Sequence, residues 1–162
     1  MTTQVRALLV LLVGLAAGVW ANASYQPPAS AVLATNSTTQ TVNTGSTTTL
    51  TFDSERYDSD GLHSTSSNTS RLTFPTAGKY TVKVYVNVAA NASGYRYTDV
   101  RLNGSTVIAI DTRTAVTTDT GGGSLVFDYD FSAGDYIETR LFQNSGSNLA
   151  TTARFAATRI RE

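Results

Sequence analysis

The chain is 162 residues long, enough for one buried core and an appendage but short for two domains. Twelve basic residues balance twelve acidic ones and charged side chains make up only 15%, so no global field draws the protein to nucleic acid. With no cysteine, disulfide staples, thiol nucleophiles and thiolate metal sites are excluded together. The polar surface falls to Thr, Ser and Asn, which favour strands and turns over helices.

In residues 1–23, Arg6 precedes an uninterrupted apolar run from Ala7 to Trp20, and Ala21-Asn22-Ala23 sets small residues at alternating positions. This is the pattern of a secretory signal peptide cleaved before Ser24, and the run is shorter than the ~20 residues that span a bilayer. The rival expectation is an uncleaved helix, buried as a plug in a trimer or inserted into a larger assembly, because such a patch aggregates when exposed. Residues 24–46 hold the pair Pro27-Pro28 followed by Ser, Thr, Asn and Gln with few apolar anchors. They read as an extended linker arm, either a spacer or an arm lying along a neighbouring subunit.

From Thr47 onward the apolar residues recur with a period of two. Tyr80, Val82, Val84, Val86 and Val88 alternate with Thr81, Lys83, Tyr85 and Asn87, which predicts a long central strand. Thr98, Val100 and Leu102 run into Asn103-Gly104, and Thr106, Ile108 and Ile110 continue beyond it, a hairpin with a tight primed turn. Asp111 then opens a Thr-rich and Gly-rich loop that lasts to Gly123. Leu125, Phe127, Tyr129 and Phe131 form the next alternating run, and Ser132-Ala133-Gly134-Asp135 turns it into a strand from Tyr136 to Gln143. A last strand is expected from about Leu149 to Ile160. Many short strands divided by turns make a sandwich, jelly roll or barrel.

The order of motifs is specific. Phe52-Asp53 is followed by Leu72-Thr73-Phe74-Pro75, Ala77-Gly78-Lys79-Tyr80, Leu102-Asn103-Gly104, Ala133-Gly134-Asp135-Tyr136 and a late Phe155. This succession, over residues 47–162, resembles the complement globular-head and tumour-necrosis-factor-like family, in a phage or bacterial branch. Leu72 stands where that family has Phe, and the collagen stalk of animal members is absent. The resemblance implies an all-β, ten-stranded antiparallel jelly-roll sandwich that forms a homotrimer. Pro75, Gly78, Asn103, Gly104, Gly134 and Asp135 are expected to be its structural turns, since Pro fixes φ and Gly takes positive φ. Tyr85, Tyr95, Tyr97 and Val126 fall on faces that alternation leaves in water, which points to burial between subunits.

Chemistry is scarce. His63, the single histidine, lies near Asp58, Asp60 and several serines, but no nucleophile turn or oxyanion site accompanies a Ser-His-Asp arrangement. Gly121-Gly122-Gly123 lacks the Lys of a phosphate loop, and ligands for zinc are missing. Asp53, Glu55, Asp58 and Asp60 precede Gly61 and offer oxygen ligands for a calcium ion, which some family members bind; their other reading is a turn held by Asp side chains. Tyr57, Tyr85, Tyr95 and Tyr97 are either subunit-interface residues or a surface that stacks on host glycans. Asn-x-Ser/Thr sequons begin at Asn22, Asn36, Asn68, Asn91 and Asn103, as expected by chance in a chain this rich in Thr and Ser.

The expectation is a non-enzymatic protein without a cofactor, calcium apart: a trimeric phage structural protein on the virion surface, acting as capsid decoration, knob or fibre-type head. Its partners would be copies of itself, capsid or tail components and a host-surface glycan, with nucleic acid excluded. The alternative is a lectin-like bacterial module, secreted or held at the cell surface after leader cleavage.

Overall fold

The computed structural model describes residues 30–115 and 121–160. The apolar segment at residues 1–23, with its cleavage point before Ser24, lies outside the described residues, as do residues 24–29 of the expected arm. Eleven strands are described: β1 (Ala31–Thr35), β2 (Gln40–Val42), β3 (Ser46–Thr49), β4 (Ser54–Asp58), β5 (Arg71–Thr73), β6 (Gly78–Val88), β7 (Tyr95–Leu102), β8 (Thr106–Thr114), β9 (Ser124–Phe131), β10 (Tyr136–Gln143) and β11 (Leu149–Arg159). Among the described residues no helix is long and apolar enough to cross a membrane.

The strands form two antiparallel sheets. One has the order β4-β1-β11-β6-β9, with β2 also paired to β11; the other has the order β3-β10-β7-β8, with β5 also paired to β10. Alternation explains why they stack. Tyr80, Val82, Val84, Val86 and Val88 of β6 are buried while the residues between them face out, and β10 buries Ile137, Thr139, Leu141 and Gln143 in the same way. The inner faces meet in one apolar core, where Phe74 stacks on Phe131 at 3.8 Å and Phe52 lies 5.6 Å from Phe155. Each such ring contributes roughly 1.5–3 kcal/mol by leaving water.

The chain enters and leaves at one end of this sandwich. Ala31 pairs with Thr158, and Arg159 pairs with Tyr80, the start of β6. That end, the base, also carries the Asn103-Gly104 turn and the β9–β10 turn. The opposite end, the apex, carries the connections β2–β3, β6–β7 and β10–β11 together with the end of β8 and the start of β9. β6 has 11 residues, so base and apex are about 35 Å apart.

Three expectations are corrected. Residues 24–46 are not a linker throughout: β1 and β2 are paired on β11, and Val32, Ala34 and Val42 are fully buried, so the domain begins by residue 31 and not at 47. Apolar residues every second position in a run of five suffice for a strand once a partner edge is present. The loop expected from Asp111 to Gly123 starts later, because β8 continues through Thr114 against Tyr95. Finally, residues 54–58, one reading of which is a turn held by Asp side chains, form β4, which extends the first sheet beyond β1.

Candidate functional site

The acidic segment 53–60 does not gather its carboxylates. Asp53 accepts hydrogen bonds from the Ser37 amide at 2.7 Å and the Ser37 hydroxyl at 2.5 Å, which hold its carboxyl below the ordinary range. Asp58 accepts from the amides of Asp60 (3.2 Å), Leu62 (3.1 Å) and His63 (2.9 Å), closing the turn around Gly61. Glu55 Oε1 lies 2.7 Å from His63 Nδ1, and Asp60 is exposed. A five-residue strand spreads Glu55 and Asp58 along β4 instead of closing them on one point. Among the described residues no three His, Cys, Asp or Glu side chains could hold a metal ion together, so the calcium site expected at Asp53, Glu55, Asp58 and Asp60 is not assembled. His63 is buried edge-on against Phe52 with its other nitrogen 3.2 Å from the Thr69 carbonyl, which leaves neither ring nitrogen facing a serine.

The turn residues converge at the base. Asn103 and Gly104 have φ of 50° and 73°, the two consecutive positive values that a two-residue primed hairpin requires. Asn103 Oδ1 accepts from the Tyr136 amide at 3.0 Å, and its Nδ2 donates to Asp135 at 2.9 Å. Asp135 also accepts from the Ser132 amide at 2.8 Å, while the amide of Gly134 donates to the carbonyl of Phe74, the residue before Pro75. Gly78 lies beneath the Arg159 guanidinium, where a Cβ would stand 2.8 Å from Nε. Of the sequon asparagines, Asn103 and Asn36 spend their side-chain amides in the fold; Asn36 bridges the Thr51 carbonyl and the Ala153 amide.

The tyrosines separate onto opposite outer faces. On the first sheet, register places Tyr57, Leu33, Ala156, Lys83 and Val126 side by side in one row across five strands. Tyr85 occupies the next row, between Arg154 and Ser124. In this row Tyr57 is 49% and Val126 67% exposed, and Tyr85 beside them is 51% exposed, a large apolar share for a sheet face in water. On the second sheet, Tyr97 stacks on Phe142 at 5.0 Å, and Tyr95 leans on the same ring at 5.4 Å. Tyr97 also shares a hydrogen bond with Thr47 at 3.0 Å. Beside this stack Arg140 grips Asp99 with two bonds, of 2.9 and 2.6 Å; the Asp99 hydrogen bonds raise the Arg140 guanidinium above its usual value. Sequence reasoning missed Phe142 and Arg140, because facing partners on β7 and β10 follow from register and not from alternation within either strand.

No protein-family model matches the chain. Over 98 residues it is 39% identical to "Uncharacterized protein L688" of Acanthamoeba polyphaga mimivirus, a match covering 56% of this chain. The chain thus spans only 41% of that relative's length. Among solved structures, the globular domain of zebrafish complement 1qA protein is similar with a TM-score of 0.59 at 14% identity, over 83% of this chain and 98% of that one. Eiger TNF from S. frugiperda has a TM-score of 0.56 at 11% identity, over 83% and 94% of the two chains. The PRD1 vertex protein P5 has a TM-score of 0.55 at 16% identity, over 82% and 96%. The two-sheet arrangement of this chain is therefore the all-β jelly roll of the complement globular-head and tumour-necrosis-factor type.

Proposed function

We propose that the protein is a non-enzymatic virion structural protein whose jelly-roll head is exposed as a homotrimer at the particle surface, stabilising the particle or adhering to a host. The observation that carries this reading is the apolar row Tyr57, Leu33, Ala156 and Val126 with Tyr85 beside it, on the outer face of the first sheet. Burial of that face against copies of the same chain removes the apolar area from water, at roughly 25 cal/mol per Å². Lys83 and Arg154 stand within the patch, so the packing must leave their charged ends at its rim.

Two likenesses support a viral setting: the sequence match to a mimivirus protein and the shared fold of the PRD1 vertex protein. Entry of the chain at the base supports the orientation. A segment preceding Ser30 attaches at that end and leaves the apex outward, and three attached chains gain avidity of ~10²-fold or more over one. Purified virions from the producing host test this reading. Mass spectrometry is expected to find the chain in stoichiometric amounts and surface-directed antibody is expected to label intact particles; its absence from washed particles overturns the assignment.

A further inference from the structure

The outer face of the second sheet exposes apolar residues that the self-association assigned above to the first sheet does not account for. Register sets its residues in rows: Arg71, Glu138, Arg101 and Val107 stand side by side, and the next row holds Thr49, Arg140, Asp99 and Ile110. Val107 is 44% and Ile110 57% exposed, and both lie on β8, the last strand of its sheet. We propose that this face is a docking site for an acidic polypeptide segment, with Arg101 receiving a carboxylate and with Val107 and Ile110 receiving aliphatic side chains.

Charge selects the partner. The two rows hold three guanidiniums and two carboxylates, and both carboxylates are already engaged. Asp99 accepts from Arg140 at 2.9 and 2.6 Å, and Glu138 Oε1 accepts from Arg71 at 3.2 Å and from the Ser70 hydroxyl at 2.8 Å. Arg101 is the surplus cation. It lies 3.7 Å from Asp99 and its Nη1 donates to the Ser105 carbonyl at 3.0 Å, while among the described residues its Nε has no hydrogen-bond partner. Further along β8, Asp111 and Arg113 offset each other at 2.8 Å. A carboxylate on the partner supplies the missing counter-charge through charge-assisted bonds, which are stronger than neutral ones.

The apolar residues and the strand edge favour a polypeptide over an acidic glycan. Val107 stands directly opposite Arg101, and Ile110 directly opposite Asp99, so an aliphatic side chain settles on β8 while an acidic neighbour reaches the guanidinium. A sugar has no branched aliphatic chain with which to cover Val107 and Ile110. Among the described residues β8 pairs only with β7, so over residues 106–110 its outer backbone edge is open to an extended chain. The other strands offer less. β9 carries Asp128 and Asp130 and β4 carries Glu55 and Asp58, which repel an acidic segment, and β2, β3 and β5 have no more than four residues each.

This site goes beyond the role proposed above and does not depend on threefold association. The test selects a displayed library of random short peptides on the full chain and titrates an enriched peptide by fluorescence anisotropy. Enriched sequences are expected to set Asp or Glu beside Val, Ile or Leu, with affinity that falls as salt rises. Arg101→Gln, Val107→Ser and Ile110→Ser are each expected to weaken binding about tenfold, while Tyr57→Ala, on the other sheet, leaves it unchanged. Melting curves of the three variants are expected to follow the wild type, which separates lost binding from lost fold. A selection that enriches no peptide or only peptides without acidic residues, affinity equal in wild type and variants, or binding of sialylated or sulfated oligosaccharides in place of peptide overturns the proposal. Light scattering on the same samples tests a second copy of this chain as the occupant. All three variants are expected to keep the wild-type mass, and a variant that falls to a smaller species overturns the proposal by making this face a self-contact.

Discussion

Asp53 shows how a residue that looks like a ligand becomes a brace. Its carboxylate accepts two bonds from Ser37, joining the β1–β2 connection to the start of β4, and those bonds depress its titration. A depressed carboxyl stabilises the fold above the ordinary carboxylate range and loses that effect as the pH falls through its lowered value. Wild type is therefore expected to melt above Asp53→Asn at pH 7, with the gap closing below about pH 4 in calorimetric scans; a gap that is constant with pH removes the charge from the explanation. The sequence showed that four carboxylates cluster in number, but only the fold shows Asp53, Glu55 and Asp58 each engaged by a different neighbour while Asp60 is exposed. Asn103-Gly104 was fully legible, because the demand for two positive φ values is local and the dipeptide meets it. Asn144 and Arg96 were not, since their partners are backbone groups across a strand connection.

At the scale of elements, the strongly alternating strands β6, β7, β9, β10 and β11 were readable, and the short ones at the edge of the first sheet were not. β1 has five residues and presents only Val32 and Ala34 to the core, so beside Pro27-Pro28 and a Thr-rich tract it looks like a linker. β4 carries Glu55, Arg56 and Asp58, which belong on an exposed edge where charge discourages further pairing. Their strand state comes from β11, which offers β1 an edge and through it seats β4. Val32→Asp places an unpaired carboxylate in the core and is expected to cost about 3 kcal/mol or more, read as a shift of the urea midpoint. If β1 were a dispensable arm, the midpoint would stay where it is.

The whole molecule has a direction and two unlike faces. The base ties the turns together and receives the chain, and the apex lies about 35 Å away at the far end of β6. One outer face carries exposed Tyr57, Val126 and Tyr85 around half-buried Leu33 and Ala156, and the other carries Tyr95, Tyr97, Phe142, exposed Val107 and Ile110, and the Arg140–Asp99 pair. The four tyrosines singled out in the sequence thus divide between two surfaces, a division that alternation cannot reveal because it fixes inside against outside but not which sheet is which. The central claim is that the face bearing Val126 is buried by self-association, and sedimentation equilibrium of the full chain tests it most directly. Wild type is expected at three times the 17.2 kDa of one chain, and Tyr85→Asp with Val126→Asp at 17.2 kDa with an unchanged strand spectrum in circular dichroism. A wild-type protein that stays at 17.2 kDa at micromolar concentration, or a double variant that remains trimeric, contradicts the account.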